Sequence, residues 1–126
     1  MKCSSTNDQD VPSFLSDKQL FCRKCFIDGQ WVDADKGTKM SVTDPATSEI
    51  LGAVPKMGTS ETALAISAAH AALPAWRGKT AKERAVILRR WFDLMVEARE
   101  DLAHLMTAEQ GKPLTEARGE IALATS

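Results

Sequence analysis

The first half of the chain alternates between apolar and polar residues, a pattern that predicts β-strands with one buried face. The earliest example is "CFIDGQWVDA", residues 25–34. There Asp28-Gly29 separates two short apolar segments. An Asp-Gly pair between apolar residues favours the tight two-residue turn of a hairpin. This stretch therefore predicts a first β-hairpin.

A second hairpin is predicted by "KMSVTDPATSEILGAVP", residues 39–55. Met40 and Val42 alternate with polar neighbours, and residues 49–54 return as a second strand. Between these strands Pro45 suits the second position of a turn, and the Asp44 side chain can accept a hydrogen bond from the backbone ahead of it.

From residue 59 onward the apolar residues follow the period of an α-helix. The first predicted helix begins at Thr59 or Ser60, either of which can cap it, and ends at Pro74. Its less polar face is rich in alanine, which allows a helix to approach a neighbouring sheet or helix closely. That face contains Thr62, Ile66, Ala69 and Leu73, with Ala65, Ala68 and Ala72 beside them.

The second predicted helix begins with a capping box from Thr80 to Glu83, in which each side chain bonds the backbone amide of the other residue. Basic and acidic residues mix on one side of this helix, which favours a solvated surface over a nucleic-acid-binding helix. A bend is expected at residues 99–101, followed by a short third helix. The apolar side of the second helix contains Ala81, Ala85, Leu88, Phe92 and Met95, widened by Ile87, Trp91 and Leu94.

The sequence Gly111-Lys112-Pro113 invites comparison with a phosphate-binding loop. Such a loop has glycine five residues before the Gly-Lys glycine and a hydroxyl residue after the lysine, whereas this chain has Met106 and Pro113 at those positions. A helix-to-helix corner fits better, because Gly111 can adopt the left-handed conformation that closes a helix and Pro113 suits the first turn of the next. A fourth helix is predicted to follow, through Leu114, Ala117, Ile121 and Ala124.

The expected fold class is α/β, with two hairpin-like segments followed by about four helices and an incomplete core. No apolar strand follows the helices, so the chain offers no parallel sheet for them to cover. We therefore expect the chain to be the beginning of a larger unit.

Composition narrows the possible partners. The 126 residues are 44% hydrophobic and 26% charged with a net charge of −1, which gives no reason to expect nucleic acid or an anionic membrane surface as a partner. No apolar run approaches the roughly 18 residues of a membrane span. The N-terminus has no signal-peptide pattern, and we expect a cytoplasmic protein with a flexible polar arm over residues 1–20.

The three cysteines and two histidines give little support for a metal or redox site. Cys22 and Cys25 form a C-x-x-C motif, but there is no second such pair, and His70 and His104 lie 34 residues apart. Two cysteines at the entry to a strand are the favoured interpretation, and a redox or zinc protein is the less favoured alternative.

The ordered set of segments resembles the N-terminal quarter of the aldehyde dehydrogenase superfamily. The resemblance runs from Phe21 to Ser126 through "FIDGQWVDA", "VTDPATSEILGAVP", "AISAAHAALPAWRGKTAKERAVILRRWFDLM" and "LAHLMTAEQGKPLTEARGEI". The segments "VPKMG", "TAKERA" and "MTAEQGKPLTEARGEI" are most similar in sequence to bacterial succinate-semialdehyde dehydrogenase. Residues 21–126 are then the N-terminal portion of the cofactor-binding domain.

The resemblance implies oxidation of an aldehyde by NAD or NADP through a cysteine thiolate, a glutamate base and an asparagine that stabilises the oxyanion. None of these residues has a counterpart here, and Cys3, Cys22 and Cys25 do not align with the nucleophile. We therefore predict no catalytic, cofactor-binding or metal-binding residue in this chain. It is expected to be inactive alone and to bind no dinucleotide.

Two further expectations concern partners. The resemblance implies a homo-oligomeric parent enzyme and makes the remainder of the dehydrogenase chain, or a homologous subunit, the expected partner. The alternative hypothesis is a small helical interaction module that pairs with a full-length dehydrogenase through its apolar faces.

Overall fold

A computed structural model describes residues 11–125 of the chain. Two β-hairpins precede four α-helices, in the order predicted from the sequence. The strands are β1 (Cys25–Ile27), β2 (Gln30–Val32), β3 (Lys39–Thr43) and β4 (Ile50–Pro55), and the helices are α1 (Thr59–Gly78), α2 (Ala81–Glu97), α3 (Arg99–Gln110) and α4 (Leu114–Ala124).

Both hairpins are antiparallel ribbons whose turns have the predicted chemistry. In the first, Asp28 and Gly29 both have positive φ, at 50° and 74°, as a tight two-residue hairpin turn requires. In the second, the Asp44 carboxylate accepts a hydrogen bond of 2.7 Å from the amide of Ala46. The residues predicted to lie in the two turns therefore do lie there in the structure.

The start of α1 corrects the sequence-based prediction. Gly58 occupies the cap position, and neither Thr59 nor Ser60 caps the helix. The Glu61 carboxylate instead reaches back to accept the Gly58 amide at 2.8 Å. An acidic residue in the first turn can satisfy an amide that lacks a helical acceptor and also complements the helix dipole, so a hydroxyl cap is not needed here.

The end of α1 was also predicted wrongly, because the helix passes through Pro74 and continues to Gly78. Proline removes one amide donor, which leaves the carbonyl of His70 without its helical partner. Residues 70–74 are exposed, so water can satisfy that carbonyl and the helix can continue.

The three remaining helices begin and end close to the predicted positions. Thr80 and Glu83 form the expected capping box, with the Thr80 amide donating to the Glu83 carboxylate at 2.7 Å. The bend falls at Ala98, between α2 and α3. Gly111 closes α3 with a left-handed φ of 71°, whereas Pro113 caps α4 from just outside its first turn.

The core is small and lies between α3 and α4. Ala103, Ala117 and Ile121 are buried there, with Leu102, Met106 and Leu114 packed against them. The two alanines are fully buried, which lets the helices approach closely. Outside this centre, several large apolar side chains of α1 and α2 remain exposed. The prediction of an incomplete core is confirmed.

The flexible arm expected over residues 1–20 lies partly outside the described residues, which begin at residue 11. Within the described part, Leu15 is buried and the amides of Ser16 and Asp17 donate to the Asp101 carboxylate at 3.0 and 2.8 Å. These two hydrogen bonds join the described part of the segment to α3. Its polar composition gave no sign of an acceptor 84 residues further along the chain.

Candidate functional site

The cysteine pair considered in the sequence does not form a redox disulfide in the structure. Cys25 is a free, half-buried thiol at the start of β1, so it is not bonded to Cys22. Cys25 thus lies at the strand entry expected for it.

The two histidines lie in different surroundings. His70 is exposed on α1. His104 lies on α3, where its Nδ1 is 2.8 Å from the Glu100 carbonyl oxygen and its ring stacks on Phe14 with 5.9 Å between centroids. Over residues 11–125, no three side chains among His, Cys, Asp and Glu converge in a way that could hold a metal ion.

The Gly111-Lys112-Pro113 segment is the helix corner predicted for it. The Gly111 amide donates to the Thr107 carbonyl at 2.8 Å, and the Lys112 ammonium pairs with the Glu120 carboxylate. The lysine charge is therefore directed to the following helix. Pro113 has no amide hydrogen to donate to a phosphate beside this lysine.

Two buried carboxylates, Asp101 and Glu61, each accept hydrogen bonds from backbone amides, and both join separate parts of the chain. Asp101 is 7% exposed, and hydrogen bonds from the amides of Asp17 and Ser16 hold its pKa below the ordinary value. Glu61 also has a lowered pKa, because its carboxylate accepts from its own amide, from Gly58 and from Asp35. The bond from Asp35 ties the loop after β2 to the start of α1.

Sequence reasoning missed both anchors. An acidic residue in the first turn of a helix is common and carries no information on a distant partner. A third carboxylate, Glu100, forms a bidentate ion pair with Arg118 of α4, with a shortest distance of 2.8 Å, and this pair lowers the pKa of Glu100. All three carboxylates join separate elements of the fold.

Part of the apolar surface of α2 is exposed in the described chain. One side of this helix faces α4, where Phe92, Val96 and Ile121 line a cavity of about 370 Å³. The neighbouring side is uncovered, although its residues recur at the three- and four-residue spacing of a buried helix face. We call this the open stripe; its members, 45–63% exposed, are Ile87, Leu88, Trp91 and Leu94.

The open stripe consists of apolar side chains that carry no catalytic or metal-binding group. Such side chains are more stable when another element covers them. Each large apolar side chain left in water forfeits roughly 1.5–3 kcal/mol relative to burial. The described residues contain no further strand or helix that covers the stripe. Among them, no helix has the length and apolar character needed to cross a lipid bilayer.

Comparison with known proteins identifies the fold to which these elements belong. Residues 31–126 match the aldehyde dehydrogenase family. The chain is 62% identical over 112 residues to glutarate-semialdehyde dehydrogenase of Pseudomonas putida and 59% identical to the NADP(+) succinate-semialdehyde dehydrogenase GabD of Escherichia coli. Each alignment covers 89% of this chain and 23% of the relative.

A solved structure gives the same result in three dimensions. The crystal structure of an E. coli NADP dependent enzyme superposes with a TM-score of 0.87 at 59% identity, again over 89% of this chain and 23% of that one. The chain thus spans about a quarter of the length of the relatives it matches. The match in sequence and in structure shows that the chain belongs to the aldehyde dehydrogenase family, of whose fold it forms an N-terminal part.

Proposed function

We propose that this chain is the N-terminal scaffold of a cytoplasmic, homo-oligomeric, NAD(P)-dependent semialdehyde dehydrogenase. The proposed reaction converts succinate semialdehyde to succinate in the breakdown of 4-aminobutyrate. The names of the relatives support an aldehyde that carries a carboxylate at its other end, since they include the succinate and glutarate semialdehyde enzymes.

The observation that carries the proposal is the combination of a family match over residues 31–126 with the uncovered stripe on α2. High identity makes this segment equivalent to the corresponding part of the relatives. The exposed apolar side chains indicate that the equivalent part is not self-sufficient.

The chemistry in this proposal belongs to parts of the enzyme outside this chain. In the overall reaction, an aldehyde, a water molecule and NAD(P)+ give a carboxylate, NAD(P)H and two protons. The dinucleotide accepts the hydride. By this proposal the described residues contribute helices and hairpins to the structure around that chemistry.

The main test is a chimera. Replacing the matched segment of the E. coli succinate-semialdehyde dehydrogenase with this chain is expected to leave NADP+-dependent oxidation of succinate semialdehyde within about tenfold of the parent, a barrier change below about 1.4 kcal/mol. A soluble chimera without activity would contradict the proposal. Sequencing of the DNA after codon 126 is a second test. The proposal predicts that this DNA encodes the remaining part of a dehydrogenase.

The isolated chain gives a complementary result. Purified and assayed with succinate semialdehyde and either NAD+ or NADP+, it is expected to show no turnover above the blank and no dinucleotide binding by calorimetry. Turnover by the chain alone would show that it contains reactive groups we have not recognised.

The interaction-module hypothesis remains a second candidate, and the open stripe is the observation that favours it. It requires that the chain bind a full-length dehydrogenase that already has its own N-terminal segment. Co-purification of the tagged chain with such an enzyme at a fixed ratio would support this candidate, and its absence would favour the scaffold alone.

A further inference from the structure

The charged side of α2 carries cations toward its start and carboxylates toward its end. Lys82, Arg89 and Arg90 come first along the helix, and Asp93 and Glu97 follow. The basic character begins before the helix, since residues 77–90 contain six Lys or Arg residues and a single Glu, although the chain as a whole has a net charge of −1. The two signs of charge on this side are therefore separated along the helix.

This order of charges does not serve the stability of α2. The amino end of an α-helix carries a partial positive charge and the carboxyl end a partial negative one, so carboxylates are favoured in the first turn and cations in the last. Only Glu83 of the capping box follows that preference. Lys82 lies in the first turn, and the last turn contains Glu97 and no basic residue. The helix itself does not explain why the cations lie at its start.

Three residues of this side form one line along the helix, which we call the basic row. Lys82, Val86 and Arg90 are four residues apart, so they are neighbours on the helix surface at steps of about 6 Å. All three are exposed, and Val86 is 64% exposed. The basic row thus presents a cation, an apolar side chain and a second cation in succession.

Among the described residues, no carboxylate forms an ion pair with either cation of the basic row. The adjacent Arg89, by contrast, pairs with Asp93 at 3.3 Å and lies over the Phe92 ring at 4.4 Å. Burial of an unpaired cation costs more free energy than burial of an apolar side chain gains. Unlike the open stripe, the basic row is therefore expected to remain at the surface of a larger fold.

An extended polypeptide segment has a spacing that matches the basic row. Alternate side chains of a β-strand point to the same side and lie about 6.6 Å apart, close to the step along the row. A segment with two acidic residues, four positions apart and with an apolar residue midway, would set one carboxylate against each cation and the apolar residue against Val86. The evenly charged backbone of a nucleic acid fits less well, because its continuation along the helix would meet Asp93 and Glu97.

We propose that the basic row is a docking site for an extended acidic segment of another protein, in which an apolar residue lies between two carboxylates. Exposed charge pairs each contribute little free energy. The complex is therefore expected to be weak and to weaken further as salt screens the charges. This inference goes beyond the proposed function, since it concerns a surface that takes no part in the oxidation of an aldehyde.

The experiment measures binding of a short peptide by fluorescence anisotropy. The labelled probe has the sequence Glu-Ser-Leu-Ser-Glu, and the control peptide Glu-Glu-Leu-Ser-Ser has the same composition and charge in another order. The probe is expected to bind the full chain at least about fivefold more tightly than the control does. Its affinity should fall at least about threefold between about 50 and 300 mM NaCl. Equal affinities of the two peptides would overturn the match in spacing.

Matched substitutions tie the binding to the basic row. Arg90→Glu reverses one charge within the row, and Lys36→Glu makes the same change on the exposed loop after β2. Arg90→Glu is expected to lower the affinity for the probe about tenfold, and Lys36→Glu less than about twofold. Val86→Ser removes the central apolar contact and should lower the affinity about three- to tenfold. Equal effects of the two charge reversals would refute a site at the basic row.

Two further outcomes would assign the basic row to another role. Tighter binding of a labelled single-stranded oligonucleotide than of the peptide, lost in Arg90→Glu, would overturn a protein partner in favour of a nucleic acid. Binding of the probe by the chain but not by an active chimera with the E. coli enzyme would show that the remaining part of the dehydrogenase covers the row. A soluble but inactive chimera would contradict the proposed function alone, because peptide binding does not depend on turnover.

Discussion

Substitution of Gly111 by alanine tests how the helix corner is joined to the second hairpin. Gly111 has a left-handed φ of 71°, and a Cβ added to it would lie 2.9 Å from the Pro45 Cγ atom. Pro45 lies in the turn between β3 and β4. The corner and the hairpin are therefore in contact at a point where there is no room for a methyl group.

The expected cost has two parts. Placing an L-residue in the left-handed conformation costs about 1–2 kcal/mol, and forcing one carbon into a filled contact costs about 1–3 kcal/mol. Gly29→Ala isolates the first part, because Gly29 has a φ of 74° and no atom within 4 Å of an added Cβ. The free energy of local opening should therefore fall by about 1–3 kcal/mol more for Gly111→Ala than for Gly29→Ala.

Amide hydrogen exchange followed by mass spectrometry is the suitable assay, because it reports opening free energies of segments without requiring one cooperative transition. The peptides to follow are those of α3, α4 and the second hairpin. Adding Pro45→Ala to the Gly111→Ala chain removes the Cγ atom and should restore most of the packing difference. Equal effects of the two glycine substitutions, or no restoration by Pro45→Ala, would refute a steric contact at this corner.

Three further predictions concern stability. Asp101→Asn weakens two charge-assisted hydrogen bonds, so the free energy of opening residues 14–20 should fall by about 1–3 kcal/mol. This is measured as faster proteolysis of the segment. An unchanged proteolysis rate would show that Asp101 does not hold the segment in place. Thr80→Ala removes the cap of α2 and should cost about 1 kcal/mol of helix stability in hydrogen exchange, against no effect of Thr59→Ala, since Thr59 caps nothing. The pKa values of Asp101, Glu61 and Glu100 are lowered by folding, so their stabilisation is present above about pH 4 and is lost as the pH falls through the lowered values. Melting temperatures measured from pH 7 to pH 3 should therefore fall only in the acid range, and they should fall less steeply for Asp101→Asn.

The elements of this protein could be predicted because their signals are local. The Asp28-Gly29 turn, the Asp44 turn, the capping box and the left-handed Gly111 each depend on residues within four positions of one another. The local rule that proline ends a helix failed at Pro74, because water can bond the carbonyl group that loses its helical partner. There the exposed surface of α1 allows the helix to continue.

The contacts between elements were decided only by the tertiary structure. Asp101 binds amides 84 and 85 residues away, and Gly111 meets Pro45 across one hairpin strand and three helices. An acidic residue or a proline has the same local signature whether or not such a partner exists. The anchored segment before residue 21 was missed for this reason.

The burial of the helices also depended partly on the sequence and partly on the tertiary structure. The sequence alone determined that this segment is amphipathic, because the spacing of apolar residues shows which helices must be covered. Only the structure showed how much the chain covers by itself, since that depends on where α4 packs against α2. One side of α2 lines the cavity beside α4, and among the described residues no element covers the open stripe next to it.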